Sequence, residues 1–261
     1  MTPLLEKLYK ELITHIKANR DKFSESELCV FTPAKGKEYD GKFLFIGRSV
    51  NGWLEEYSIK KDNDADYDKV IEVINEVCKK YNNENVNNLA WVEEHWSGRK
   101  KYNTKKSAFW RLIIKILNHY YQKDISAVHK ASWNNLYKIS PSKGGNPSSP
   151  LKNLQLDLCR SILNLEIEEF NPRYVIFLTG MERWVQPFLN MEEFINLTDE
   201  FIGAQTDKIK FIKFIGVNKN SEKIYIVSQH PQRKPEDPHL KEIIEGLNFA
   251  KKELWKLLKN A

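Results

Sequence analysis

An imidazole at the end of an apolar run is a candidate for electrostatic or acid–base chemistry, and this chain has one. Ile224-Tyr225-Ile226-Val227 alternates as a strand does and ends in Ser228-Gln229-His230-Pro231. Ligands of α/β proteins bind at the C-terminal ends of strands, so His230 stands where a site is expected. A near-neutral imidazole can stabilise an anion that develops on a leaving group. A histidine held by Pro231 in a rigid turn is the alternative. A second apolar run, Phe43-Leu44-Phe45-Ile46, stops at Gly47-Arg48-Ser49-Val50-Asn51-Gly52. Its glycines permit close backbone approach, and Ser49 or Asn51 could hold a water. A plain strand-to-helix connection is the alternative here. The loop has no GxGxxG, so it is not a dinucleotide-binding fingerprint. Together the two strand ends predict one crevice, with His230 on one lip and the glycine-flexed loop on the other.

Two further segments could face a ligand. In Trp133-Asn134-Asn135-Leu136-Tyr137-Lys138-Ile139-Ser140-Pro141, a carboxamide at the end of a buried strand can pair with a planar base through one donor and one acceptor. An Asn capping a loop has the same sequence signature. Ser107-Ala108-Phe109-Trp110 opens an amphipathic helix, where an aromatic ring could stack on a flat ligand. Trp110, spaced with Ile113, Ile114 and Leu117, belongs instead to a core stripe. HExxH, P-loop and GxSxG patterns are absent. Glu93-Glu94-His95 lacks metal-binding spacing and reads as a solvated helix. No metal and no cofactor are expected.

These residues need a scaffold. Apolar periodicity predicts helices at about 3–20, 66–81, 106–122, 151–170, 181–190 and 237–259. Strands are predicted at 43–46, 132–138, 174–178, 209–215 and 223–228, with a hairpin turn over Val217–Glu222. The alternation predicts an α/β fold, a three-layer α/β/α sandwich on a mostly parallel central sheet of four to five strands. Tyr174-Val175-Ile176-Phe177-Leu178 is apolar throughout, as a central strand buried on both faces is. No linker divides the chain, so residues 1–261 are expected as one domain. It begins with an amphipathic helix carrying Leu4, Leu5, Leu8, Leu12, Ile13 and Ile16. The polar stretch 82–105, basic at Arg99, Lys100 and Lys101, reads as an insertion. The Pro-, Gly- and Ser-rich stretch 141–150 reads as a loop over the ligand end of the sheet.

The bulk composition fits a soluble globular chain, with 41% hydrophobic and 29% charged residues. The formal net charge of +6 permits a nucleic-acid partner without demanding one. The three cysteines, Cys29, Cys78 and Cys159, are odd in number and widely spaced. That excludes a disulfide framework and an iron–sulfur cluster held by CxxC pairs. Cys78 and Cys159 fall on apolar faces of predicted helices, as buried thiols do. No apolar stretch approaches the ~20 residues that span a bilayer. A cytoplasmic monomer without membrane contact is expected.

Taken in chain order, these segments resemble the uracil-DNA glycosylase superfamily. Gly47-Arg48-Ser49-Val50-Asn51-Gly52 is similar to the first family motif, Gly-x-x-Pro-Gly or a relative. Phe109 resembles the stacking aromatic before a helix. Asn135, with Lys138 and Pro141, resembles the Asn at the end of the second strand. Asn171-Pro172-Arg173-Tyr174-Val175-Ile176-Phe177-Leu178-Thr179-Gly180 is similar to the Pro-led strand. His230-Pro231-Gln232 is similar to the closing His-Pro-Ser motif. The likeness runs over about 40–245. It departs at Ser49, where the family has Asp or Asn, at Val50, where it usually has Pro, and at Gln232-Arg233, where a small residue and a wedge are usual.

The resemblance implies hydrolysis of an N-glycosidic bond in DNA after base flipping, removing uracil or another damaged base. It implies that Asn135, Phe109 and Gly47 bind the base and that His230 stabilises the departing anion. Ser49 or Asn51 then positions water, and Arg48, Arg233 and Lys138 contact DNA. A relative that binds nucleic acid or a nucleotide with little or no turnover is the rival expectation. A small-molecule α/β enzyme unrelated to DNA is the third.

Overall fold

The computed structural model describes residues 2–52, 55–81, 87–98 and 102–259. Arg99, Lys100, Lys101 and residues 82–86 of the expected insertion lie outside the described residues, as does the side chain of Cys78. The elements are α1 (Pro3–Ala18), β1 (Glu27–Val30), β2 (Ala34–Lys35), β3 (Phe43–Gly47), β4 (Ser58–Lys60) and α2 (Asp64–Tyr81). Next come α3 (Ala90–Glu94), α4 (Ala108–Tyr121), β5 (Ala131–Asn135), β6 (Ile139–Pro141) and α5 (Ser149–Phe170). The last are β7 (Tyr174–Leu178), β8 (Phe194–Asn196), α6 (Thr198–Gly203), β9 (Ile212–Asn218), β10 (Ile224–Ser228) and α7 (Glu236–Lys259). Helix boundaries follow their caps. The hydroxyls of Thr2, Ser107 and Ser148 accept the first free amides of α1, α4 and α5. Left-handed Gln122 and Asn171 end α4 and α5.

The contacts of the chain separate into two compact units. The first comprises Met1–Ala34, Gly47–Val86 and Asn134–Asn171. In it α1 packs on α2 and α5. Its three-stranded sheet has the order β4-β1-β6, with both pairs antiparallel. The α1 face differs from the expected leucine stripe. Leu4 is 51% exposed, while Tyr9 joins Leu5, Leu12, Ile13 and Ile16 in the core. No element of this small sheet was legible beforehand, because strands of three or four residues carry too little alternation.

The second unit comprises Lys35–Ile46, Asn87–Trp133 and Pro172–Ala261. It holds the body of a seven-stranded sheet of order β2-β5-β3-β7-β10-β9-β8. The α/β class is as expected, but the sheet is larger than four or five strands and is mixed. β3, β7 and β10 are parallel, with Ile46, Phe177 and Val227 in one register row. β9 runs antiparallel to β10, and β8 antiparallel to β9. The hairpin forms where predicted, although β9 reaches Asn218. The Asn218 Oδ1 accepts from the amides of Asn220 and Ser221 and from the Ser221 hydroxyl, which closes the turn. The helix expected over 181–190 is only a π-helical turn, Met181–Val185. The strand expected over 132–138 stops at Asn135. α7 lies on β9 and β10, and α4 on α7. No helix of the described residues is long and apolar enough to cross a membrane.

Candidate functional site

In the first unit the Gly47–Gly52 loop is braced rather than open. Leu136 N–H donates to Gly47 O at 2.9 Å, and Tyr137 N–H to Arg48 O at 3.0 Å. The Ser140 hydroxyl donates to Val50 O at 3.0 Å. Ser49 Oγ donates to Asn146 Oδ1 at 3.3 Å, and Asn51 Oδ1 accepts Gly145 N–H at 2.8 Å. Gly144 adopts φ +95°, and a Cβ there would lie 2.7 Å from Asn51 Oδ1. The two candidate water-holding residues therefore tie this loop to the Gly-rich loop after β6. Arg48 is half-buried, and burial lowers the pKa of its guanidinium.

Asn135 closes β5 at 1% exposure. Its N–H donates to Asn134 Oδ1 at 2.7 Å, and its carbonyl accepts from Lys138 Nζ at 2.7 Å. Its side-chain Nδ2 is buried with no hydrogen-bond partner among the described residues. A buried donor without an acceptor is costly, and in a native fold it marks a place that asks for a partner.

Lys138 corrects the sequence expectation of a DNA contact. It is fully buried, and its ammonium donates to Asn134 Oδ1 at 2.5 Å, Asn135 O at 2.7 Å and Glu166 Oε2 at 2.6 Å. An ammonium has three donors, so none is left for a phosphate. Glu166 also accepts from Asn134 Nδ2 at 2.6 Å and from Tyr9 Oη at 2.7 Å. Sequence reasoning missed Glu166 and Tyr9. The signal was an acid on the apolar stripe of α5, at helical spacing from Cys159, Ile162, Leu163 and Phe170. Cys159 itself is buried as expected, which pushes its thiol pKa up to about 12.

In the second unit His230 follows β10 by two residues and is half-buried. The Gln232 N–H donates to His230 Nδ1 at 3.2 Å. An acceptor at Nδ1 puts the proton of the neutral ring on Nε2, where it can serve as a donor. Phe109, in the first turn of α4, lies with its ring centroid 6.4 Å from that imidazole and its plane tilted by 19°. Trp133 and Trp110 stand behind Phe109, at 6.5 and 5.4 Å between centroids. Arg233 is exposed and left-handed, with φ 60°.

Two supports of this pair were not foreseen. Ser228 Oγ, at the end of β10, lies 2.6 Å from Nε2 of His239, which is fully buried on the apolar face of α7. Burial, with the charges of His230 and Lys234, lowers the pKa of His239 to about 4. Arg111 Nε donates to Glu236, and Lys115 Nζ lies 3.3 Å from Glu236 and 2.6 Å from Asp237. These charges join the start of α4, which carries Phe109, to the start of α7, which follows the His230 loop. Glu93, expected on a solvated helix face, keeps 41% of its side chain exposed while its Oε2 lies 2.6 Å from Nε2 of buried His129.

The structure thus groups Gly47, Arg48, Ser49, Asn51, Asn135 and Lys138 in the first unit, and Phe109, His230 and Arg233 in the second. No protein-family model matches the chain, and no curated protein matches it either.

Proposed function

We propose that this chain is a DNA glycosylase-like hydrolase, removing uracil or another damaged base by cleaving its N-glycosidic bond. The observation that carries the proposal is the Phe109–His230 pair at the C-terminal edge of parallel β10. The roles assigned to these residues require a stacking ring close to an anion stabiliser. In the proposed reaction a base flipped out of the stack lies against Phe109. The Nε2–H of His230 stabilises negative charge on the departing base. In the first unit, the Nδ2 of Asn135, which has no hydrogen-bond partner among the described residues, is the group proposed to read an acceptor on a base edge. Arg48 and Arg233 meet phosphates. A three-layer fold of the uracil-DNA glycosylase kind is part of the same proposal. The parallel run of β3, β7 and β10 supports it.

A second reading is favoured by one specific observation. Ser49 and Asn51 are both engaged in bracing the loop after β6. Neither is a strong base, so turnover is expected to be slow. A relative that binds a base or nucleotide without hydrolysis fits the same residues. Incubating uracil-containing and otherwise damaged strands with the protein, then treating with alkali, converts excision into strand breaks. Breaks at the lesion support the hydrolase. Salt-dependent binding without breaks supports the binding relative. Neither binding nor breaks sinks both.

A further inference from the structure

The polar cluster in the core of the first unit has no evident purpose in stability. Lys138, Asn134, Tyr9 and Glu166 are buried to within 1% of full burial. Taking an ammonium and a carboxylate out of water is costly, and apolar side chains of similar volume often serve a fold equally well. What the cluster does locally is specific. It grips both backbone groups of one residue, Asn135. Lys138 Nζ holds the Asn135 carbonyl, and Asn134 Oδ1 holds the Asn135 N–H. Asn134 is itself held twice, by Lys138 Nζ on Oδ1 and by Glu166 on Nδ2. Glu166 is held in turn by Tyr9 and Lys138. Each buried member is thus tied to another, and Asn135 Nδ2 is left as a buried donor without a partner among the described residues.

We infer that Lys138 and Glu166 are positioning residues for the Asn135 carboxamide, an inference that rests on the base-reading role proposed for Asn135. The charged pair fixes the backbone at the end of β5, so that the carboxamide is presented in one orientation. Lys138 and Glu166 touch no substrate. They act through Asn134 and the Asn135 backbone. A hydrogen-bonding site selects well only when its donors are held still before the ligand arrives.

The test uses the full chain and the double variant Lys138→Met/Glu166→Gln, which removes both charges at nearly constant volume and leaves no uncompensated buried ion. Backbone amide exchange at Asn135 and the side-chain amide signals of Asn135 are followed by NMR. The expected result is exchange at Asn135 about tenfold faster or more, with shifted or broadened side-chain signals. Exchange at Val175 and Ile176 in β7 stays as it was. Single-turnover excision should fall by up to about 100-fold, with an unchanged dependence on substrate concentration. Should the double variant not fold, Tyr9→Phe removes the hydrogen bond to Glu166 at the edge of the cluster and should move the same signals in the same direction by less. A folded variant with unchanged Asn135 exchange and signals overturns the positioning role, whatever the catalytic result. An Asn135 that loosens while excision is unchanged supports positioning and counts instead against base reading. If the wild type excises nothing, the NMR comparison still decides this inference.

Discussion

The ring of Phe109 lies nearly parallel to the imidazole of His230, with centroids 6.4 Å apart and planes 19° apart. That spacing is an offset aromatic pair. It joins the first turn of α4 to the loop after β10, two segments far apart in the chain. The pair fixes the plane of the imidazole, and the Gln232 amide on Nδ1 fixes which nitrogen carries the proton.

His230→Ala should slow single-turnover excision by about 10²–10³-fold, the scale for deleting one donor to a developing anion. Affinity for DNA should barely change, because the donor acts on charge that exists only in the transition state. Equal single-turnover rates in wild type and variant would remove His230 from the mechanism.

Phe109→Leu keeps an apolar side chain and deletes the ring. Binding of a damaged strand should weaken by about tenfold, the stacking contribution of one base. The Cε1 proton of His230 should move in the NMR spectrum as the neighbouring ring current disappears. An unmoved proton means that the two rings do not pair in solution.

The Arg111–Glu236 pair should couple the two arms that carry those rings. Both side chains are partly exposed, which limits its strength. A double-mutant cycle with Arg111→Ala and Glu236→Ala should give on the order of 1 kcal/mol. The coupling should shrink as salt is added. Additive effects at low salt would show that the pair holds nothing.

His239 predicts a pH dependence of stability. Burial, with the charges of His230 and Lys234, lowers its pKa from 6.5 to about 4. The unfolded chain therefore binds this proton more readily than the fold does. The contribution is fully present above pH 6.5 and is lost as pH falls towards 4, on the order of 3 kcal/mol in all. Urea unfolding measured at successive pH values should show this loss. His239→Gln should flatten the slope between about pH 6.5 and 5, above the range where carboxylates titrate. A variant with the wild-type slope refutes the assignment.

The brace between the two loops of the first unit predicts unequal costs at adjacent glycines. Gly144 and Gly145 both have φ near +95°, so alanine is strained at either. Only at Gly144 would the new methyl meet Asn51 Oδ1, at 2.7 Å, whereas at Gly145 it meets nothing within 4 Å. Gly144→Ala should therefore cost about 1 kcal/mol more than Gly145→Ala in denaturant unfolding. Equal costs would mean that the loops are not braced through Asn51.

Local patterning determined much of the scaffold. The runs that became β3 and β7 are apolar because strands buried on both faces need no alternation, and that is visible in one dimension, as is the apolar alternating run that became β10. α1, α4, α5 and α7 announced themselves by helical spacing. The strand-end placement of His230 followed from the run that became β10, whereas the strand expected over 132–138 ends at Asn135 only in the structure. The second sheet was not legible, since β1, β4 and β6 are held by partners distant in the chain and not by their own pattern. Nor was the fate of polar side chains. Lys138 looks like a surface cation, and Ser49 and Asn51 look like open loop residues. Only the tertiary structure gives the first three buried acceptors and the others a second loop to brace. The physical reason is common to all three. Periodicity records which face of an element avoids water, whereas a hydrogen bond depends on which groups the folded chain brings within about 3 Å of each other.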